Sequence, residues 1–141
     1  MSTRYDQDLA RWALEQARLL REGKQDQADI ENIAEELESM GGRARRELRH
    51  RLGLLVQHLL KYEYQAERRT PNWYAEVVEQ RLMIDTVIDT SPSLRANVPE
   101  YLTKGYGDAC RWLSADTGLK DFPKECPWTF DEAMTKLIPD A

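Results

Sequence analysis

The sequence predicts an all-α fold, a single-domain bundle of five to six helices around a central third helix, and three observations predict it. Apolar residues recur at intervals of three and four along most of the chain. Two pairs, Thr70-Pro71 and Ser91-Pro92, combine a good N-cap with a proline suited to the first helical turn. No window alternates apolar and polar residues at period two between turn signals, so strands are not expected.

The first helix is carried by Tyr5, Leu9, Trp12, Ala13, Gln16 and Leu20, with Arg11, Glu15, Arg18 and Glu22 on other faces. Gly23 is placed to end it, because the residue after a helix C-cap often needs positive φ. A second helix is expected to open at Asp26, whose carboxylate can accept from orphan N–H groups, and to bury Ile30, Ile33, Ala34, Leu37 and Met40. Gly41-Gly42 then predicts a break or a tight joint. The third helix is the clearest: Leu48, Leu52, Leu55, Leu59, Tyr62 and Ala66 form a heptad-like seam. It is expected to stop near Arg69, where Thr70-Pro71 starts a fourth helix with Trp73, Val77, Ile84 and Ile88 inward.

Ser91-Pro92 starts a fifth helical region through Leu94, Val98, Leu102, Ala109 and Leu113, closed by Thr117-Gly118. Pro99 lies inside it and removes a backbone donor, predicting a kink or two shorter helices. The stretch from Phe122 to Trp128 holds two prolines and reads as a loop. A last short helix begins at Thr129, with Glu132 completing a capping box.

The chain has 141 residues, 41% of them apolar and 32% charged, which excludes a disordered or collagen-like chain and predicts one domain over 1–141. A chain of this length can bury a core without metal or disulfide. Cys110 and Cys126 form no C-x-x-C arrangement, which suits reduced thiols, with a single bridge between them left open. No apolar run approaches the ~18 residues of a membrane span, and the first residues lack a signal-peptide apolar stretch. A cytoplasmic protein without membrane contact is therefore expected.

The net charge of −5 is unevenly spread: residues 1–42 carry −5, residues 43–69 carry +5 and residues 70–141 carry −5. The middle segment is a basic island that can pair with its acidic flanks or face an anionic partner.

Seven motifs follow one another along the chain: Tyr5-x-x-Asp8-x-x-x-Trp12, Glu35-Glu36 before Gly41, Leu59-Leu60-Lys61-Tyr62-Glu63-Tyr64-Gln65, Glu79-Gln80-Arg81, Ser91-Pro92-Ser93-Leu94, Thr117-Gly118-Leu119, and Phe122-Pro123-x-x-Cys126-Pro127. In this order they resemble the bacterial domain-of-unknown-function family number twenty-nine, over nearly the whole chain. The resemblance implies an all-helical, stand-alone bacterial domain. It carries over no activity, cofactor or catalytic residue. Pro99 departs from the family's smoothly continued fifth helix.

Among residues that could carry chemistry, a di-iron bundle site would need two Glu-x-x-His pairs, and Glu47-x-x-His50 is a single pair. His58 with Glu31, Glu35 or Glu38 could contribute to a metal site, but a core histidine bonded to one carboxylate is the simpler account, since zinc sites need three or four ligands. No metal or cofactor is expected. Arg81 is expected to pair with Glu35 or Glu36, either as structural register or as the polar floor of a small-ligand pocket bordered by His58 and Tyr64. Arg43, Arg45, Arg46, Arg49 and Arg51 put five guanidinium groups within nine residues. On a helix they spread over more than half the circumference, as a solvated face or as a contact for an acidic protein or nucleic acid.

Core packing accounts for at least three of the four tryptophans, Trp12, Trp73, Trp112 and Trp128. No G-x-S-x-G elbow, cysteine–histidine neighbourhood or phosphate-cradling loop is present. The sequence therefore points to a non-enzymatic interaction module that binds an acidic partner through the arginine-rich helix start. The alternative is small-ligand or metal-dependent activity in a pocket near Glu35, His58, Tyr64 and Arg81. A homo-oligomer is compatible with either.

Overall fold

The computed structural model describes residues 4–138. They form five α-helices, α1 (Leu9–Arg21), α2 (Ile30–Tyr64), α3 (Pro71–Thr90), α4 (Val98–Thr117) and α5 (Phe130–Thr135), with no strand among the described residues. Short 3-10 stretches at Gln25–Gln27, Ala66–Arg68 and Pro92–Asn97 precede α2, α3 and α4. The chain divides into two compact units, Met1–Arg43 and Ala44–Ala141, with the division inside α2. No helix among the described residues is long and apolar enough to cross a membrane.

In the first unit, Asp8 caps α1 by accepting from the Arg11 N–H at 3.0 Å, and Gly23 follows the helix at φ +74°. Trp12, Gln16 and Leu19 are buried, and the Tyr5 ring meets Trp12 edge-on at 4.7 Å. Asp29 ties α1 to α2: its carboxylate accepts from the Trp12 indole at 3.1 Å and from the Asn32 side chain at 2.8 Å, while its own N–H donates to Gln16 Oε1 at 2.7 Å. These bonds account for the Tyr5, Asp8 and Trp12 spacing. The cap of α2 is Asp29, which also accepts from the Asn32 backbone; Asp26, expected in that role, lies in the preceding 3-10 turn. Ile30, Leu37 and Met40, expected inward, are more than half exposed. Polar bonds around Asp29 close this unit where the periodicity predicts an apolar seam.

The second and third expected helices are one helix of 35 residues, α2, that passes through Gly41 and Gly42. A helical glycine costs only about 1 kcal/mol against alanine, and the flanking residues are good helix formers. Positive φ is confined, among the described residues, to Gly23 and Gly118, so Gly41-Gly42 forms no turn.

The core of the second unit is built on the later part of α2, where Leu48, Leu52, Leu55, Val56 and Leu60 are fully buried. The predicted central helix is thus the C-terminal portion of α2. Val77, Ile84 and Ile88 of α3, Leu102, Ala109 and Leu113 of α4, and Trp128 and Ala133 near the C-terminus join them in one apolar cluster. Thr70 caps α3 with Pro71 in its first turn, as the sequence predicts. Ser91-Pro92 opens the 3-10 stretch, and α4 then starts at Val98 with Pro99 in its first turn. Proline there removes a donor that has no helical acceptor, so α4 needs no kink. The capping box of Thr129 and Glu132 forms as expected, at 3.1 Å in both directions.

Candidate functional site

The five arginines of the basic island separate into two groups. Arg43 lies 3.7 Å from Glu36, and Arg51 binds Glu47 at 2.8 Å and the buried Gln80 at 3.2 Å. Arg45, Arg46 and Arg49 are exposed, and none makes an ion pair or side-chain hydrogen bond among the described residues. At 100° per residue these three fall within one arc of about 100°, and the two paired arginines fall outside it. The island is thus partly internal, and its free charge is gathered on one side of α2.

Beside that arc, a groove of about 580 Å³ runs between α2 and α4. Its α2 wall carries Arg46, Arg49, His50, Gly53 and Gln57, and its α4 wall carries Lys104, Gly105, Asp108 and Trp112. The helices meet at two glycines, where a Cβ on Gly105 would lie 3.1 Å from the Gly53 Cα. Asp108 bonds Arg111 at 2.6 Å, which leaves Arg46, Arg49 and Lys104 as the charges without an ion-pair partner among the described residues. Trp112 is 43% exposed and Trp73 half-buried, whereas Trp12 and Trp128 are buried, so core packing does account for three of the four tryptophans. Lys61 Nζ stands 4.6 Å from the Trp73 ring centroid and 5.5 Å from that of Trp112.

Lys104, Gln57 and Trp112 line this groove and are not among the candidate residues read from the sequence. The available signal was the spacing of Lys104, Asp108 and Trp112, which stacks them on one face of a helix, beside Gly105 and Ala109 at the same interval.

The other candidate residues stand in separate settings. Glu35 is exposed. Glu36 accepts from the Tyr5 hydroxyl at 2.7 Å, a bond to the carboxylate that raises the pKa of Tyr5. His58 is buried, with Nε2 2.9 Å from the Glu76 carboxylate and a buried Nδ1 without a hydrogen-bond partner. This geometry assigns the Nε2–H tautomer, because a lone acceptor is cheaper to bury than a lone N–H. Burial lowers the pKa of His58, and the Glu76 charge opposes that shift. Tyr64 packs edge-on against Phe122 at 5.1 Å.

Arg81 does not use Glu35 or Glu36 as its partner. It donates through Nε to the Ala133 carbonyl at 3.0 Å and through a terminal nitrogen to the Lys136 carbonyl at 2.8 Å. Ala133 lies in the last turn of α5 and Lys136 is its C-cap, where orphan acceptors attract a cation, and that attraction explains the exchange of partners. Among the described residues no group of three or more His, Cys, Asp or Glu side chains is gathered to hold a metal.

Cys110 and Cys126 are half-buried free thiols. Burial pushes the Cys126 thiol up, away from the reactive thiolate, and the thiol lies 3.4 Å from the Trp128 carbonyl. Tyr106 donates to the Pro123 carbonyl at 2.6 Å, and burial raises its pKa in turn. The Tyr106 bond ties the proline-rich loop to α4, and the Cys126 contact lies within the loop.

The sequence pattern of a family described as Domain of unknown function DUF29 matches residues 4–137. No curated protein and no solved structure matches the chain.

Proposed function

The chain belongs to the DUF29 family, and from that membership and the site's geometry we propose that it is a non-enzymatic interaction module of the bacterial cytoplasm, holding an acidic partner on Arg45, Arg46 and Arg49. The observation that carries this reading is the division of the basic island. A self-neutralised island would show all five arginines countered by acidic neighbours. Arg43 and Arg51 are countered, and the other three stand exposed on one arc without a partner among the described residues. An arginine without an internal partner presents a planar fork suited to carboxylate or phosphate. The free thiols of Cys110 and Cys126 suit a reducing compartment.

The test is retention on an immobilised polyanion. The triple variant Arg45→Ala, Arg46→Ala, Arg49→Ala is expected to elute at clearly lower salt than the parent. Arg43→Ala, which removes one charge from the same island, is expected to stay near the parent, with a shift well below one third of that of the triple variant. Equal shifts per charge in all four positions, or no shift in the triple variant, would contradict the reading.

A further inference from the structure

The groove beside the three arginines carries more than charge. Gly53 faces Gly105, and Lys61 reaches Trp112, so α2 and α4 run side by side in the same direction. Arg46, Arg49 and Lys104 therefore stand toward one end of the groove and Trp112 toward the other. From Lys104 to Trp112 is eight residues, about 12 Å of helix axis. Cations at one end, a half-exposed indole at the other and the Gln57 amide between them match a chain of alternating phosphates and flat bases. An acidic peptide would use the cations and leave the indole and the amide without a role. A mononucleotide is short for the span.

Resting on the arginine face proposed above, we infer that this groove binds single-stranded nucleic acid, with backbone phosphates on Arg46, Arg49 and Lys104 and a base stacked on Trp112. Lys61 holds the indole in place by standing over the Trp73 and Trp112 rings. The bare backbone at Gly105 lets α4 approach α2 at Gly53, so one strand can touch both helices. Charge supplies attraction without sequence preference, and stacking accepts any base, so the expected binding is weakly sequence-dependent and strongly salt-dependent.

The experiment is fluorescence anisotropy of a labelled twelve-nucleotide dT strand against the full chain, with competition by duplex DNA, AMP and poly-glutamate. Trp112→Ala is expected to weaken binding by at least about fivefold, the lower end of what one stacked base contributes. Lys104→Glu, an exposed position whose folding is not at issue, is expected to weaken it as well, with far-UV circular dichroism unchanged in both. Duplex and AMP are expected to compete poorly. If both variants bind the strand like the parent, the groove inference falls and the arginine face stands. If poly-glutamate or AMP displaces the strand as well as unlabelled dT does, the assignment to a strand is overturned. If the parent binds no polyanion at all, the groove and the arginine face fall together.

Discussion

Gly105 packs against Gly53 so closely that a Cβ on Gly105 would stand 3.1 Å from the Gly53 Cα and 3.4 Å from its nitrogen. The relationship is one-sided. A Cβ on Gly53 would meet nothing within 4 Å. Gly53→Ala is therefore expected to stabilise the protein by roughly 0.5–1 kcal/mol through helix propensity. Gly105→Val should force α4 away from α2 and cost roughly 1–3 kcal/mol or more. Chemical denaturation of the two variants checks the pair, and equal effects would contradict the one-sided approach.

Arg81 draws the C-terminal turn onto α3 through two carbonyls, and Lys136 adds an ion pair to Glu63 at 3.8 Å. Replacing the guanidinium with an apolar chain leaves the Ala133 carbonyl without its donor. Arg81→Met is expected to cost roughly 1–3 kcal/mol and to raise amide exchange in α5 before the rest of the unit. A destabilisation well under 1 kcal/mol would mean that these bonds contribute nothing net.

The buried His58 makes stability depend on pH just below neutrality. Its folded pKa is depressed by burial, so below the ordinary value of about 6.5 the unfolded chain takes up a proton that the folded chain resists. Stability is then fully present above about pH 6.5 and falls as the pH drops through and below that value. Denaturation midpoints measured between pH 8 and 5 should show this decline in the parent and a shallower one in His58→Leu. The same decline in both would remove His58 as its source.

Asp29 accepts from Trp12 and Asn32, and the Asn32 bond leads the causes that hold its carboxyl below the usual range. Asp29→Ala is expected to speed hydrogen exchange at the Trp12 indole and the Asn32 amide while the amides of Leu52 and Leu55 exchange unchanged. Acidification below about pH 4 should lower the protection of the same groups relative to their intrinsic exchange, because protonation of a carboxyl with a depressed pKa removes its stabilisation. Equal acceleration in both units would contradict their separate cores.

The seam from Leu48 to Tyr62 was readable because a four-three repeat admits one buried face, and Thr70-Pro71 and Thr129 with Glu132 because a cap is a local event. Gly41-Gly42 was not, since glycine signals only a permitted turn, and whether the chain turns depends on what its neighbours bury. The Leu37 and Met40 stripe failed for a related reason: periodicity shows that a face is apolar, not that anything covers it. At the site, arginine spacing disclosed the cluster, but the partners that removed Arg43 and Arg51 from it are tertiary contacts. Trp112 and Lys104 line the groove only because Gly105 lets α4 approach α2 at Gly53, an approach between positions 52 residues apart.

In the proposed function, Arg45, Arg46 and Arg49 are the charges an anionic partner meets. The most direct test is the salt dependence of strand affinity in the parent and in the Arg45→Ala, Arg46→Ala, Arg49→Ala variant. Removing one phosphate-binding side chain should flatten the plot of log K against log salt by about 0.7, and two of the three arginines, Arg46 and Arg49, line the groove, so the slope is expected to be shallower by about 1.4 in the triple variant. An unchanged slope and an unchanged affinity would contradict it.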